Sequence, residues 1–98
     1  RDEIPDPQAL DLWLEVDGDR VQNGTTANMI FSVAHIVAYL SQFMTLEPGD
    51  IIATGTPAGC GMGMSPPKFL FPGMEVALGS NALGRQKTTV IAAEHADV

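Results

Sequence analysis

The 98 residues are enough for one small domain, and a chain of this length buries only roughly 60–65% of the surface that its unfolded form exposes. The 45% hydrophobic and 17% charged content is typical of a globular chain and argues against intrinsic disorder. The net charge of −7, with seven acids between Asp2 and Asp19, argues against nucleic acid and anionic membranes as partners. No stretch reaches the roughly 18 apolar residues of a spanning helix, so we expect a cytoplasmic protein.

The two ends of the chain have compositions typical of connecting segments. Residues 1–9 are acidic and contain two prolines, which predicts an extended connector, and we expect residues 94–98 to form a frayed tail. The chain opens on Arg1 without an initiator methionine, so we expect a fragment or processed piece of a longer protein. The single cysteine, Cys60, has no partner for an internal disulfide.

A hairpin is predicted near the start of the chain. Leu12, Leu14 and Val16 alternate with polar or amphipathic residues, which indicates a half-buried strand. The dipeptide at residues 17–18, Asp-Gly, predicts a hairpin turn, and residues 19–22 then form the returning strand. The Asn-Gly dipeptide at residues 23–24 predicts a second turn, and residues 25–31 have no clear pattern.

The clearest helix is predicted over residues 32–44. Apolar residues recur there at helical spacing, and Ser32 is a good N-cap, so one face should pack on the core. A turn at residues 47–50 leads to a short apolar run at residues 51–53, which predicts a buried strand. Another turn at residues 71–73 precedes a strand at residues 75–78, and residues 83–93 alternate as a final strand. These elements predict an α+β fold that is mainly β.

Residues 54–67 hold four glycines and three prolines, which excludes helix and strand and predicts a shaped loop. The loop lacks the G-x-G-x-x-G spacing and the Gly-Lys-Ser/Thr sequence of nucleotide-binding loops. Thr54 and Thr56, at the C-terminal end of the predicted strand, could offer hydroxyl and amide donors to a carboxylate. A purely structural loop is an equally open alternative.

Few side chains are candidates for metal binding or catalysis. Glu15 and Asp17, two apart on a strand, could present oxygens to a hard cation, but Asp17 belongs to the turn and no third ligand stands on that face. We therefore predict no metal site there. His35 and His95 have no visible nucleophile or carboxylate partner and are predicted to be structural or solvated.

Five segments in this order resemble the C-terminal part of the fumarylacetoacetate hydrolase family: residues 12–18 (LWLEVDG), 22–26 (QNGTT), 29–32 (MIFS), 46–50 (LEPGD) and 54–57 (TGTP). With the loop at residues 59–67 and the Pro-Gly turn at residues 72–73, the resemblance covers residues 3 to about 93. It implies a mixed β-roll or sandwich with one packed helix at about residues 32–44. Residues 1–98 would be the C-terminal part of the catalytic domain, usually in a homodimer.

The resemblance also implies an activity for the intact protein. Family enzymes typically hydrolyse a carbon–carbon bond, using Mg or Mn to chelate a 2-oxo or 2,4-diketo acid and a His-Glu pair to activate water. The expected substrates are acylpyruvates or 2,4-diketo acids derived from sugar acids. The family's metal ligands and catalytic residues lie upstream of the matched region, so none maps onto this chain. The resemblance therefore implies a missing N-terminal part, and we expect the isolated chain to be inactive and to bind no metal tightly.

One functional residue carries over from the family. Thr56 matches the position that hydrogen-bonds the substrate carboxylate, Gly55 lets the backbone approach closely, and Pro57 fixes the exit of the loop. Met74 departs from the aspartate that the family often has after Pro-Gly, so the last hairpin is expected to differ in detail.

Three alternatives stay open at this point. The first is a decarboxylase or tautomerase of oxaloacetate-like 2-oxo acids, which would use the same metal–enolate chemistry. The second is a ureidoglycolate lyase-like member, indicated by the sequence GMGMSPP at residues 61–67. The third, of another class, is a non-catalytic binding or oligomerisation domain.

Overall fold

A computed structural model describes residues 2–93 of the chain, apart from the side chain of Met62. Within this range, one antiparallel sheet has the strand order β2-β1-β3-β4, which confirms the α+β, mainly β, class. The predicted frayed tail, residues 94–98, lies outside the described residues. The elements are β1 (Asp11–Val16), β2 (Asp19–Thr25), α1 (Val33–Ser41), β3 (Glu75–Ser80) and β4 (Gly84–Thr89), with 3-10 turns at Thr26–Asn28 and Gly61–Gly63.

The β1–β2 hairpin turns where the sequence predicts. Asp17 and Gly18 have φ angles of 50° and 84°, and two positive φ angles are what the common two-residue hairpin turn requires. The second predicted turn, at residues 23–24, is wrong because β2 continues through it. Asn23 pairs with Trp13 and Gly24 pairs with Leu12 across the sheet, so the Asn-Gly dipeptide is part of the strand.

The two faces of the sheet differ in polarity, as the alternation in β1 predicts. On one face, Trp13 lies across from Gly79, and the guanidinium carbons of Arg20 and Arg85 are 5.0 and 5.6 Å from the centre of its ring. These distances are those of cation–π contacts. Ala77 on this face is buried, with 6% of its surface exposed. The opposite face is apolar and carries Leu12, Leu14, Val16, Val76 and Leu78.

Helix α1 is confirmed, although it ends at Ser41 and not at residue 44. The Ser32 hydroxyl accepts a hydrogen bond from the His35 amide at 3.0 Å, as expected for an N-cap. At the other end, the Leu40 carbonyl accepts from the amides of Phe43 and Met44, so the last turn tightens and the helix stops. The apolar face of the helix is only half-buried, and none of its residues is fully buried.

The predicted buried strand at residues 51–53 is wrong. These residues form no regular secondary structure, because a strand needs a hydrogen-bonded neighbour and none of the described segments pairs with them. Ile51 is accordingly 94% exposed. The predicted final strand is also too long, since β4 ends at Thr89 and Val90 then exchanges hydrogen bonds with the turn residues Gly73 and Met74.

The predicted turns at residues 47–50 and 71–73 are both confirmed. The amide of Asp50 donates to the carbonyl of Glu47, and the amide of Met74 donates to the carbonyl of Phe71, each at 3.1 Å. Gly49 and Gly73 have φ angles of 94° and 92°, which only glycine adopts readily. Among residues 2–93, no helix has the length and apolar character that crossing a membrane requires.

Candidate functional site

An open cavity of about 580 Å³ lies between two segments that the fold brings together. One is the Thr56 loop, which we define as residues 54–59, and the other runs from the end of β2 to the start of α1. Threonine and asparagine side chains lie beside apolar ones, and none of the lining residues is charged. The described lining residues are Leu12, Asn23, Gly24, Thr25, Thr26, Asn28, Met29, Ile30, Phe31, Ile36, Thr54, Gly55, Thr56, Pro57 and Ala58.

Thr56 lies at this cavity with its side chain held by a residue 34 positions earlier. The Gln22 side-chain amide, Nε2, donates to Thr56 Oγ1 at 2.9 Å and to the Pro57 carbonyl at 3.0 Å. Thr56 is an exposed residue. Gly55 has a φ angle of 101°, which accounts for a glycine at this position. The structure therefore brings the three residues predicted from the sequence, Thr56, Gly55 and Pro57, to one cavity.

The backbone of the Thr56 loop lies directly on strand β2. A Cβ atom on Gly59 would lie 1.9 Å from the Val21 carbonyl oxygen, and a Cβ atom on Gly24 would lie 3.0 Å from Cβ of Pro57. Real Cβ atoms essentially never approach to 1.9 Å, so only glycine at position 59 permits this approach. The loop therefore lies against the strand at two points, Pro57 and Gly59.

The opposite wall of the cavity is held by the N-terminal connector. Gln8 Nε2 donates to the Thr26 carbonyl at 2.7 Å, and Gln8 Oε1 accepts from the amide of Val33 at the start of α1. The amide of Leu10 donates to Thr26 Oγ1 at 3.0 Å. Sequence reasoning missed this role of Gln8, because a single glutamine in an acidic, proline-containing segment gives no signal of its partner.

Gln22 was also missed, although the sequence does contain a signal for it. Gln22 pairs with Leu14 and therefore lies on the apolar face of the hairpin. The register of the two strands shifts beside it, because Val21 has no paired residue on β1. A polar side chain on an apolar face usually has a hydrogen-bond partner, because leaving it unpaired costs free energy. That reasoning predicts a partner for Gln22, but only the fold identifies it as Thr56.

The described residues do not fit a Mg or Mn site. Glu15 forms an ion pair with Arg20 at 3.0 Å, and Asp17 Oδ1 accepts from the Glu75 amide at 2.8 Å, so both carboxylates have structural partners. No group of three His, Cys, Asp or Glu side chains within residues 2–93 is arranged to hold a metal ion. His35 stacks on Phe31 with ring centres 5.1 Å apart, and His95 lies outside the described residues.

The chemistry of the cavity suits binding more than bond making. A hydroxyl that donates to a carboxylate forms a charge-assisted hydrogen bond, which is stronger than one between neutral groups. Beside it, Met29, Ile30 and Phe31 provide an apolar wall for the rest of a ligand. The cavity therefore combines threonine hydroxyl groups with an apolar wall.

A family model and a curated relative match most of the chain. The model is described as fumarylacetoacetate (FAA) hydrolase C-terminal, and it matches residues 1–91. A protein of Burkholderia ambifaria, whose name describes it as a candidate hydrolase, is 64% identical over 87 residues. The match covers 88% of this chain but 31% of that relative, so the chain spans about a third of the length of the relatives it matches.

Solved structures of similar proteins have the same fold. A fumarylacetoacetate hydrolase from Exiguobacterium antarcticum has a TM-score of 0.84 and 40% identity, over 90% of this chain and 32% of that one. A maleylpyruvate hydrolase from Sphingobium, in complex with manganese (II) ion and pyruvate, has a TM-score of 0.78 and 32% identity, over 92% of this chain and 31% of that one. A 2-hydroxyhepta-2,4-diene-1,7-dioate isomerase from Mycobacterium marinum has a TM-score of 0.74 and 36% identity, over 90% of this chain and 32% of that one.

Proposed function

The chain belongs to the fumarylacetoacetate hydrolase family, and on that basis we propose that the full-length protein hydrolyses a carbon–carbon bond in an acylpyruvate or 2,4-diketo acid. A hydrolase or isomerase function at the level of the family is supported by the similar proteins with those names. A divalent Mg or Mn ion, with ligands outside this chain, belongs to the proposal, since one similar hydrolase contains manganese and pyruvate.

The observation that carries the proposal is the position of the Thr56 hydroxyl. Thr56 is an exposed residue on the wall of an uncharged cavity, and Gln22 Nε2 donates to its hydroxyl oxygen at 2.9 Å. Thr56 would donate its hydroxyl proton to the carboxylate of a 2-oxo acid. Gly55 and Pro57 would shape the loop on either side of Thr56.

This chain would contribute substrate binding and orientation. Holding the carboxylate end of the substrate fixes the position of the adjacent 2-oxo group, and orientation of this kind lowers the activation barrier of the step that follows. The apolar wall at Met29, Ile30 and Phe31 would receive the acyl part of the substrate. The described residues of the cavity include no acid or base, so proton transfer belongs to another part of the protein.

The second candidate is isomerase or tautomerase activity on a related 2-oxo acid. It is favoured by the similarity to the isomerase from Mycobacterium marinum, whose TM-score of 0.74 is close to those of the hydrolases. The same grip on the carboxylate would serve both reactions. A decarboxylase or ureidoglycolate lyase-like activity and a homodimer remain predictions from the resemblance alone, and the cytoplasmic location remains a prediction from the composition of the chain.

The remainder of a longer chain is also part of the proposal. Large apolar side chains are exposed on α1, around residues 69–71 and at Ile51. Because the similar proteins are about three times as long as the matched segment, we propose that the preceding part of the same protein covers these surfaces.

The activity can be tested with the full-length protein, Mn²⁺ and a series of acylpyruvates and 2,4-diketo acids. Hydrolysis consumes water and releases pyruvate and a carboxylic acid. A lactate dehydrogenase assay detects the pyruvate. Isomerisation changes the ultraviolet absorbance without releasing pyruvate. If no substrate gives either signal, the proposed function is contradicted. A carbon–carbon hydrolase is expected to release one pyruvate for each acylpyruvate consumed.

A further inference from the structure

Gln22 is a half-buried polar residue on the apolar face of the hairpin, and both of its described side-chain bonds go to the Thr56 loop. Its Nε2 atom is within 2.9 Å of Thr56 Oγ1 and 3.0 Å of the Pro57 carbonyl oxygen. The proposed function assigns no role to this residue, although it contacts the oxygen that is expected to bind the substrate.

The chemistry of the two partners fixes the orientation of the Gln22 amide. A carbonyl oxygen can only accept a hydrogen bond, so the atom facing Pro57 must be the NH₂ group and not the amide oxygen. The same NH₂ group then donates its second hydrogen to Thr56 Oγ1. Thr56 is thereby the acceptor in this bond, and its own hydroxyl hydrogen must point elsewhere.

We infer that Gln22 is a positioning residue. By donating to Thr56 Oγ1, it orients the Thr56 hydroxyl so that the hydroxyl hydrogen can be donated to a ligand in the cavity. The inference rests on the proposed function, because it requires that Thr56 binds a carboxylate. A carboxylate accepts hydrogen bonds and cannot donate them, so it needs a hydroxyl hydrogen aimed at it. Without Gln22, the hydroxyl hydrogen is free to point in other directions, and a fraction of the molecules presents lone pairs to the ligand.

The loop backbone has supports that do not depend on Gln22. Gly59 lets the loop backbone approach the Val21 carbonyl of β2, and Gly24 lets β2 approach Pro57 of the loop, because a Cβ atom added at either glycine would lie 1.9 or 3.0 Å from that neighbour. Loss of the Gln22 amide should therefore leave the loop in place while releasing the hydroxyl. This separates a role in orienting Thr56 from a role in merely tethering the loop.

The test is a double-mutant cycle in the full-length protein with Mn²⁺, read as the Kd of pyruvate by calorimetry. Thr56→Val should weaken binding by about 10- to 100-fold, the range for a lost hydrogen bond to a charged group. Gln22→Met, similar in shape, should weaken it by about 3- to 10-fold. Because Gln22 acts through the hydroxyl, Gln22→Met should add almost nothing in the Thr56→Val background.

Two further variants sharpen the test. Gln22→Glu has the same shape but, when ionised, can only accept, so it would draw the hydroxyl hydrogen away from the cavity and should weaken binding at least as much as Gln22→Met. Gln86→Met makes the same change at an exposed position on β4 and should leave Kd within twofold of wild type. With an active substrate, both Gln22 variants should raise KM more than they lower kcat.

The outcomes separate the two claims. If wild type does not bind pyruvate, or Thr56→Val binds it as wild type does, the proposed function of the loop fails and this inference fails with it. If Thr56→Val weakens binding while Gln22→Met has no effect, or has an effect that is fully additive with Thr56→Val, Gln22 is not a positioning residue and the function stands. Thermal midpoints of the variants show whether each one is folded.

Discussion

Gly59 lies in the Thr56 loop at the point where the loop backbone touches strand β2. Its φ angle is 107°, and an added Cβ would meet the Val21 carbonyl at 1.9 Å and Cγ of Gln22 at 2.9 Å. Both the conformation and the space therefore require glycine. The contact also places the Gln22 side chain beside the loop that it bonds.

Gly59→Ala should destabilise the full-length protein by about 1–3 kcal/mol, because a non-glycine residue at this φ is strained and its Cβ has no room. The measurement is the thermal midpoint, together with the Kd of pyruvate, which should rise as the loop moves away from β2.

Gly63→Ala is the matched control. Gly63 has no atom within 4 Å of an added Cβ and no positive φ, so alanine should be tolerated there. Equal thermal midpoints for Gly59→Ala and Gly63→Ala would contradict the described packing of the loop.

Part of the candidate site could be predicted from the sequence. Thr56, Gly55 and Pro57 belong to one contiguous motif, so the resemblance could name them together. Gln22 lies 34 residues from Thr56, and no local pattern states which residue its amide bonds. Gln8 is likewise 25 residues from Val33, and its Oε1 atom accepts a hydrogen bond from the Val33 amide.

Helix α1 begins at a cap that the sequence predicts and the structure contains. The Ser32 hydroxyl satisfies the amide of His35, one of the amides at a helix start that have no partner within the helix. Gln8 Oε1 satisfies a second one, at Val33. The start of α1 therefore combines a local cap with a contact from the connector, and it borders the cavity through Phe31 and Ile36.

Ser32→Ala should weaken the first turn of α1 by about 1 kcal/mol, the usual cost of removing a serine cap. Amide hydrogen exchange of residues 33–36 in the full-length protein should then become about fivefold faster, since local opening costs less free energy. Ser32→Asn restores a capping side chain and should return the exchange rate to within twofold of wild type. Unchanged exchange in Ser32→Ala would show that the cap does not stabilise the helix.

Elements that depend on residues nearby in the sequence were predicted well. Elements that depend on pairing with a distant segment were not. The hairpin turn at residues 17–18 and the helix start at Ser32 depend on neighbours within four residues. The Asn-Gly dipeptide at residues 23–24 is drawn into β2 by pairing with β1 and by the close approach of Pro57. Residues 51–53 have the composition of a strand, but no described segment supplies the partner that a ladder needs.

The molecule has a large accessible surface for its mass, and many large apolar side chains lie on that surface. Its accessible surface is 8121 Å², against roughly 5,400 Å² expected for a folded monomer of 10.4 kDa. Patches of this kind commonly mark surfaces that another part of a protein covers. Within the described part of the chain, residues 2–93, the exposed large apolar residues include Ile30, Phe31, Val37, Tyr39, Phe43, Met44, Ile51, Phe69, Leu70, Phe71, Leu78, Leu83 and Ile91.

Residues 1–98 expressed alone should bind the dye ANS strongly and self-associate as their concentration rises, because the apolar faces lack their cover. The full-length protein, at the same molar concentration, should bind several times less dye per molecule. Fluorescence titration and sedimentation velocity measure the two properties. A monomeric 98-residue chain with no more ANS binding than the full-length protein would contradict the proposal that a preceding segment covers these faces.

The central claim, that the Thr56 loop binds the carboxylate of a 2-oxo acid, is tested most directly by a crystal structure of the full-length protein with Mn²⁺ and pyruvate. We expect Thr56 Oγ1 within about 2.5–3.0 Å of a carboxylate oxygen, the distance of a hydroxyl-to-carboxylate hydrogen bond, with Gln22 Nε2 still bonded to Oγ1. A carboxylate bound by other residues, with Thr56 Oγ1 too distant for a hydrogen bond, would contradict the account.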